Sequence, residues 1–216
     1  MIGRFRQLLR FLALLAVAYS EASLYKMRWS LPLPAEMIPL NSTDGAMLMK
    51  SRETLSVSFW NGFLHLETQK TQTFCSIATS VTILNSLASG VAPIDPIYDP
   101  YPYWTQDNFF NECTNNVIDP DTIYAIGTTL DQLGRMLSCY SVEVETVKAN
   151  ESSVDLFRST VQEAMLKGDH IAINFNRSGL LESGGGHFSP LMAYNGDKDM
   201  VLITGAKLLA CVAPSA

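Results

Sequence analysis

A cysteine at position 75 and a histidine at position 187 are the residue types of a thiol-nucleophile acyl transfer, provided the fold brings them together. Cys75 closes the stretch Gln69-Lys70-Thr71-Gln72-Thr73-Phe74-Cys75, and the apolar residues Ile77, Val81, Leu84 and Leu87 follow at spacings of three and four. That is the stripe an amphipathic helix buries, so the pattern predicts a helix over 76–87 with Cys75 at its N-terminus. Unpaired backbone N–H groups and the positive end of the helix dipole favour thiolate over thiol there. Gln69, upstream, carries a carboxamide that can donate to the oxygen of an attacked carbonyl; loss of such a donor typically costs about 100- to 1000-fold in rate. A cysteine opening a buried helix is also a common small core residue. The second motif, Gly184-Gly185-Gly186-His187-Phe188-Ser189-Pro190, favours chemistry. Its imidazole can take the thiol proton and later return it to the leaving amine.

The elements that must position these groups are legible by period and punctuation. Residues 59–66 form an aromatic-rich approach to the cysteine, and His65 within it reads as structural. Residues 91–104 carry Pro93, Pro96, Pro100 and Pro102 among tyrosines and read as loop. Thr105-Gln106-Asp107-Asn108-Phe109-Phe110 sets polar groups against aromatic bulk, as a packed turn or a substrate wall. Thr129 with Gln132 forms a capping box, and Leu130, Leu133, Met136 and Tyr140 continue at helical spacing. Val142, Val144 and Val147 point to a short strand, residues 153–167 to a helix ended by Gly168, and residues 169–175 to a strand with His170 at its edge. Residues 187–194 and 199–204 read as a hairpin around Asn195-Gly196-Asp197-Lys198. With Tyr194 opposite Asp199, His187 falls opposite Ala206, so a group orienting the imidazole is expected near Thr204, Gly205 and Ala206. None of these is an acid or an amide. Asp197 and Asp199 lie at the far end of the hairpin.

Composition bounds the rest. The chain has 216 residues, 47% hydrophobic and 17% charged, with a formal net charge of −6. This suits one globular domain, and the acidic balance without a Lys/Arg run argues against nucleic-acid binding. Arg4, Arg6 and Arg10, the apolar run 11–18 and the small-x-small Ala16-Val17-Ala18 read as a signal peptide or signal anchor over 1–24. An amphipathic targeting helix is the alternative. The expected location is periplasmic or secreted, otherwise membrane-anchored or organelle-targeted. Of the four cysteines, Cys113 and Cys139 can pair in an oxidising compartment or stay as buried thiols. No spacing reads as a structural zinc site.

Gln69, Phe74-Cys75, Asn85-Ser86-Leu87, residues 105–110, Thr129-Leu130-Asp131-Gln132-Leu133-Gly134-Arg135 and Gly186-His187-Phe188-Ser189-Pro190 together resemble the catalytic domain of the phytochelatin synthase family, in the short form found in bacteria. The resemblance covers about 37–203. It implies an α+β, papain-like fold with the nucleophile on a helix N-terminus packed against an antiparallel sheet. It also implies a glutathione γ-glutamylcysteinyltransferase: Cys75 as nucleophile, His187 as base and acid, Gln69 in the oxyanion hole, a γ-glutamylcysteine thioester formed with release of glycine, and transfer to a second glutathione or to water. The implied partners are glutathione and its thiolates of heavy metals such as Cd or Zn, with no fixed cofactor and a role in heavy-metal detoxification. Homodimerisation and membrane association through the N-terminal segment stay open.

The departures matter as much. Ser76 stands where the family has Gly, which keeps the backbone N–H. The family's catalytic Asp is expected after Val201-Leu202-Ile203, where this chain has Gly205, or Thr204 with one residue missing. Beyond about 203 the resemblance ends, so the domain over 25–216 reads as C-terminally incomplete and divergent, and activity as impaired. The alternatives are another papain-like cysteine peptidase, of the type that trims double-glycine leaders, and a thiol- or metal-binding homologue without catalysis.

Overall fold

The computed structural model describes residues 33–87, 92–205 and 208–212. The signal-like segment 1–24 and Ala206 lie outside them. Six strands, Ile38–Pro39 (β1), Thr54–Leu55 (β2), Ile171–Asn176 (β3), Gly186–Asn195 (β4), Met200–Gly205 (β5) and Leu208–Val212 (β6), form one antiparallel sheet. The order is β1-β6-β5-β4-β2, with β3 also paired to β4. β4 is the hub. One edge takes β5; the other is divided between β3, opposite residues 186–191, and β2, opposite Tyr194 and Asn195. Its residues 187–195 are all buried, polar His187, Ser189 and Asn195 included, so the strand is covered on both faces.

Side chains of β4 alternate between two layers up to Leu191, and a bulge between Leu191 and Ala193 reverses the alternation beyond it. Phe188 packs with Phe74, Ile77, Val81 and Leu84, together with Phe109, Leu133 and Met136. Leu191 and Tyr194 pack instead with Val161, Met165, Val201 and Ile203. β3 splits the same way, with Ala172 against the first cluster and Ile171, Ile173 and Phe175 against the second. The sheet therefore lies between two helical layers, an α+β arrangement.

The first layer centres on Cys75–Leu87 (α3), preceded by Thr43–Lys50 (α1) and Phe59–Leu64 (α2). Glu112–Val117 (α4), Pro120–Ile126 (α5) and Leu130–Leu137 (α6) follow it. The second layer is Val154–Lys167 (α7). Local signals act as the sequence leads one to expect. Thr129 and Gln132 form the capping box of α6, Ser153 caps α7, and Gly168 ends it in the left-handed conformation at φ 80°.

Three expectations change. α3 is not amphipathic: Ser76, Thr79, Ser80 and Thr82 are as buried as Ile77 and Val81, while Leu87 is exposed. The helix can be enclosed because its hydroxyls turn back on its own carbonyls, Ser80 to Ser76, Thr82 to Ala78 and Ser86 to Thr82. Residues 142–147 form no strand and pair with none among the described residues; Val142 and Val144 pack on the first cluster, and Val147 is exposed. In the hairpin Tyr194 pairs with Val201, not Asp199, and a bulge between Leu191 and Ala193 shifts the register again. Asp199 is a turn residue at φ 49°. Its carboxylate accepts from Arg158 Nε at 3.0 Å and from the Tyr194 hydroxyl at 2.9 Å, which holds it out of the ladder.

Cys113, in α4, and Cys139, just beyond α6, form a disulfide across a separation of 26 residues. Closing a loop of that size restricts the unfolded chain by roughly 3–4 kcal/mol in the chain-entropy model. Cys113→Ser with Cys139→Ser should lower the thermal midpoint by an amount matching about 2–4 kcal/mol, measured by calorimetry; an unchanged midpoint would show that α4 and α6 are held by packing alone.

Candidate active site

Cys75 is the first residue of α3, partly buried, and its thiol is free. The chain reaches it through a loop stitched by side-chain amides. Gln106, 5% exposed, uses both ends of its carboxamide on that loop: Oε1 accepts from Lys70 N–H at 2.9 Å and Nε2 donates to the Thr68 carbonyl at 3.0 Å. Asn85, on the third turn of α3, does the same for Trp104, donating to its carbonyl at 2.8 Å and accepting from its N–H at 2.9 Å. Asn108 accepts from Thr105 N–H and donates to the Tyr103 carbonyl. The result is a closed circuit: α3 holds residue 104, the segment after it holds residues 68–70, and these lead back to Cys75. A Lys70–Asp107 ion pair lies across it in solvent.

Gln69 lies within this loop, and its Nε2 donates to the Thr71 carbonyl at 2.6 Å. One amide hydrogen is thereby used, leaving the second for a ligand. Thr73 ties the same loop to α5, its hydroxyl donating to the Tyr124 carbonyl at 2.9 Å. Ser76, the residue after the nucleophile, is fully buried, and its Oγ makes no hydrogen bond among the described residues.

His187 opens the buried run of β4 with its side chain on the opposite face from Phe188. Phe188 joins the first cluster, against which Cys75 packs, whereas Phe175, paired with His187 on β3, packs on the second, so the structure does not set the imidazole against the thiol. The imidazole itself turns to Phe175, directly opposite on β3, with ring centroids 5.6 Å apart in a T-shaped contact. It is 3% exposed. Its Nδ1 lies 2.8 Å from Arg177 Nη2, and its Nε2 makes no hydrogen bond, to the Cys75 thiol or to any other described atom. Burial, and secondarily the Arg177 charge, depress its pKa to about 4.

The remaining candidates lie elsewhere in the fold. The Thr204 N–H and carbonyl are both engaged by the Ser189 hydroxyl, so no group at 204 orients His187. Gly205 ends β5. Asp199 is committed to Arg158 and Tyr194, and Asp197 lies in the turn at the far end of the hairpin. His65 follows α2 and stacks near Tyr103 at 5.9 Å, and His170 precedes β3 with its pKa lowered by burial. Among the described residues no three His, Cys, Asp or Glu side chains converge as a metal-ligand set.

Sequence reasoning missed Arg177 as the neighbour of His187 and Gln106 as the clamp on the nucleophile loop. Gln106 had a signal, a polar residue in an aromatic run; Arg177 had none, because only the β3–β4 register brings it beside position 187.

A phytochelatin synthase family model matches residues 28–206. Among curated proteins, glutathione gamma-glutamylcysteinyltransferase 3 of Lotus japonicus is 32% identical over 190 residues, which is 85% of this chain and 37% of the relative. Glutathione gamma-glutamylcysteinyltransferase 1 of the same plant is 33% identical over 148 residues, 68% of this chain and 28% of the relative. The glutathione gamma-glutamylcysteinyltransferase of Schizosaccharomyces pombe is 26% identical over 196 residues, 87% of this chain and 44% of the relative. The chain thus spans less than half the length of these relatives.

Two outcomes follow from the geometry. Gln106→Ala strands the Lys70 N–H and Thr68 carbonyl, so unfolding should cost about 1–3 kcal/mol less and Cys75 alkylation should change rate, because the loop before it loosens; denaturant titration and iodoacetamide kinetics read the two effects. His187 is neutral when folded but takes a proton at its ordinary pKa near 6.5 when unfolded, so the unfolded chain binds more protons between those values. Stability should therefore fall as pH drops from about 6.5 to about 4, by on the order of 2–3 kcal/mol for this group, and His187→Asn should flatten that part of the profile.

Proposed function

The chain belongs to the phytochelatin synthase family, and on that premise we propose that it is a papain-like acyltransferase acting on glutathione, with Cys75 as nucleophile, His187 as base and acid, and Gln69 as oxyanion donor. Cys75 Sγ attacks the carbonyl carbon of the substrate's cysteinyl–glycine bond. The oxyanion is met by the free amide hydrogen of Gln69 and the Cys75 backbone N–H. Imidazolium returns its proton to the glycine nitrogen, the C–N bond breaks, and γ-glutamylcysteine stays on sulfur as a thioester. The amine of a second glutathione, or water, then attacks the thioester carbonyl and passes its proton to the now neutral His187. The C–S bond breaks, and γ-glutamylcysteine leaves on that amine or as the free acid, with the Cys75 thiolate restored. Heavy-metal ions such as Cd or Zn enter as glutathione thiolates, as substrate.

One observation carries this reading. The free thiol at the head of α3, the Gln69 loop and the β4 histidine all fall inside the matched span. The Cys113–Cys139 disulfide supports an oxidising location, periplasmic or secreted, reached through the segment 1–24. Among the described residues no helix is long and apolar enough to cross a membrane.

A second reading, a thiol-binding homologue of low turnover, is favoured by a specific observation: among the described residues it is Arg177, and no carboxylate, that stands at Nδ1 of His187. Replacing the orienting Asp by its amide costs about 10^4 in one well-studied triad, and the same order of loss is expected here. Mass spectrometry after incubation with glutathione separates the two. A γ-glutamylcysteinyl adduct on Cys75 that disappears in Cys75→Ala, together with glycine release, supports the transferase; glycine release that persists in Cys75→Ala rules the mechanism out.

A further inference from the structure

The β3–β4 pairing sets Asn176 opposite Gly186, so the chain leaves β3 at Arg177 and re-enters β4 just before His187. Between them the chain folds around the guanidinium. Arg177 N–H donates to the Gly185 carbonyl at 3.1 Å, and Glu182 N–H donates back to the Arg177 carbonyl at 3.0 Å. Gly184, at φ 122°, leaves the space the side chain runs through: a Cβ there would lie 3.1 Å from Nη1 and 3.2 Å from Cδ of Arg177. The guanidinium ends with Nη2 2.8 Å from His187 Nδ1.

A guanidinium has only donors and stays charged at every relevant pH. A hydrogen bond from it therefore requires Nδ1 to be the acceptor, and a neutral ring then carries its proton on Nε2. Imidazolium, with hydrogens on both nitrogens, would set N–H against N–H at that distance. Nε2 is the nitrogen left over, buried and without a partner among the described residues. A nitrogen that already bears the proton cannot take one from a thiol. A carboxylate at Nδ1 has the opposite effect, since it accepts from Nδ1–H and leaves Nε2 basic.

We propose that Arg177 is a positioning residue that sets the tautomer of His187, confining the proton to Nε2 and holding the imidazole in a non-basic state until the Arg177–Nδ1 bond is broken. The inference rests on the reading of His187 as the base for Cys75. The two side chains set against the ring fit this: Phe175 from β3 is apolar and offers no competing acceptor, and among the described residues Arg177 is the charge that acts on the ring.

The test is nitrogen NMR of the histidine-labelled full chain, with His187→Asn used to assign the ring among the three histidines. At pH 7 the wild-type ring should show a pyridine-like Nδ1 and a protonated Nε2. Arg177→Met, which removes the donor, should populate Nδ1–H and raise the protonation midpoint of the ring by about one pH unit, while Arg177→Lys, still a donor, should keep the wild-type tautomer. Iodoacetamide should then modify Cys75 about tenfold faster at pH 6 in Arg177→Met, and His187→Asn in that background should remove the gain. A proton on Nδ1 in the wild type, or an unmoved tautomer in a folded Arg177→Met, overturns the proposal. Failure of the catalytic reading shows separately: the NMR signature stays as described but the wild type forms no thioester and releases no glycine.

Discussion

The site depends on the carboxamide of Gln106. A buried amide group has two donors and an acceptor to satisfy, and Gln106 meets that demand on the backbone of residues 68 and 70. The loop before Cys75 has no strand or helix of its own to fix it, so those bonds, with the Asn85 and Asn108 bonds behind them, substitute for secondary structure. The circuit runs from the middle of α3 to the loop and back to the first residue of α3. A disturbance at any of the three amides is therefore transmitted to the thiol, even though none of them touches it.

Burial of α3 on all sides follows from the same economy of polar groups. Serine and threonine are poor residues for a helix interior because their hydroxyls compete for backbone carbonyls. In this helix that competition is harmless: each hydroxyl finds the carbonyl one turn back, and the small side chains let β4 and the neighbouring helices approach closely. Ser76, one residue after the nucleophile, is the exception, with its hydroxyl unpartnered among the described residues. It stands where the family resemblance leads one to expect glycine, so this chain carries at that point a polar group its surroundings do not satisfy.

The histidine end of the site is governed by desolvation. A ring 3% exposed, beside a guanidinium, is held neutral by both neighbours. A carboxylate in place of the guanidinium would reverse the electrostatic half of that balance and leave the desolvation half unchanged. The absence of an acid near Gly205 and the presence of Arg177 at Nδ1 therefore act in the same direction, both against an imidazolium.

Much of this protein is written in local chemistry. The capping residues of α6 and α7, the left-handed glycine after α7, the hairpin around Asn195-Gly196 and the placement of Cys75 at a helix start each depend on a few adjacent residues, and those are readable in one dimension. The motif conjunction that marks the family is equally linear. What needed the folded chain is whatever depends on register and enclosure. Asp199, held by Arg158, belongs to the turn, so the ladder starts at Asn195 with Met200, and a bulge between Leu191 and Ala193 shifts the register once more. Residues 142–147 alternate like a strand but pair with no strand among the described residues; Val142 and Val144 still pack on the core, while Val147 is exposed. Arg177 meets His187 only because β3 and β4 pair as they do, and a contact created by register carries no signature in either residue's own neighbourhood.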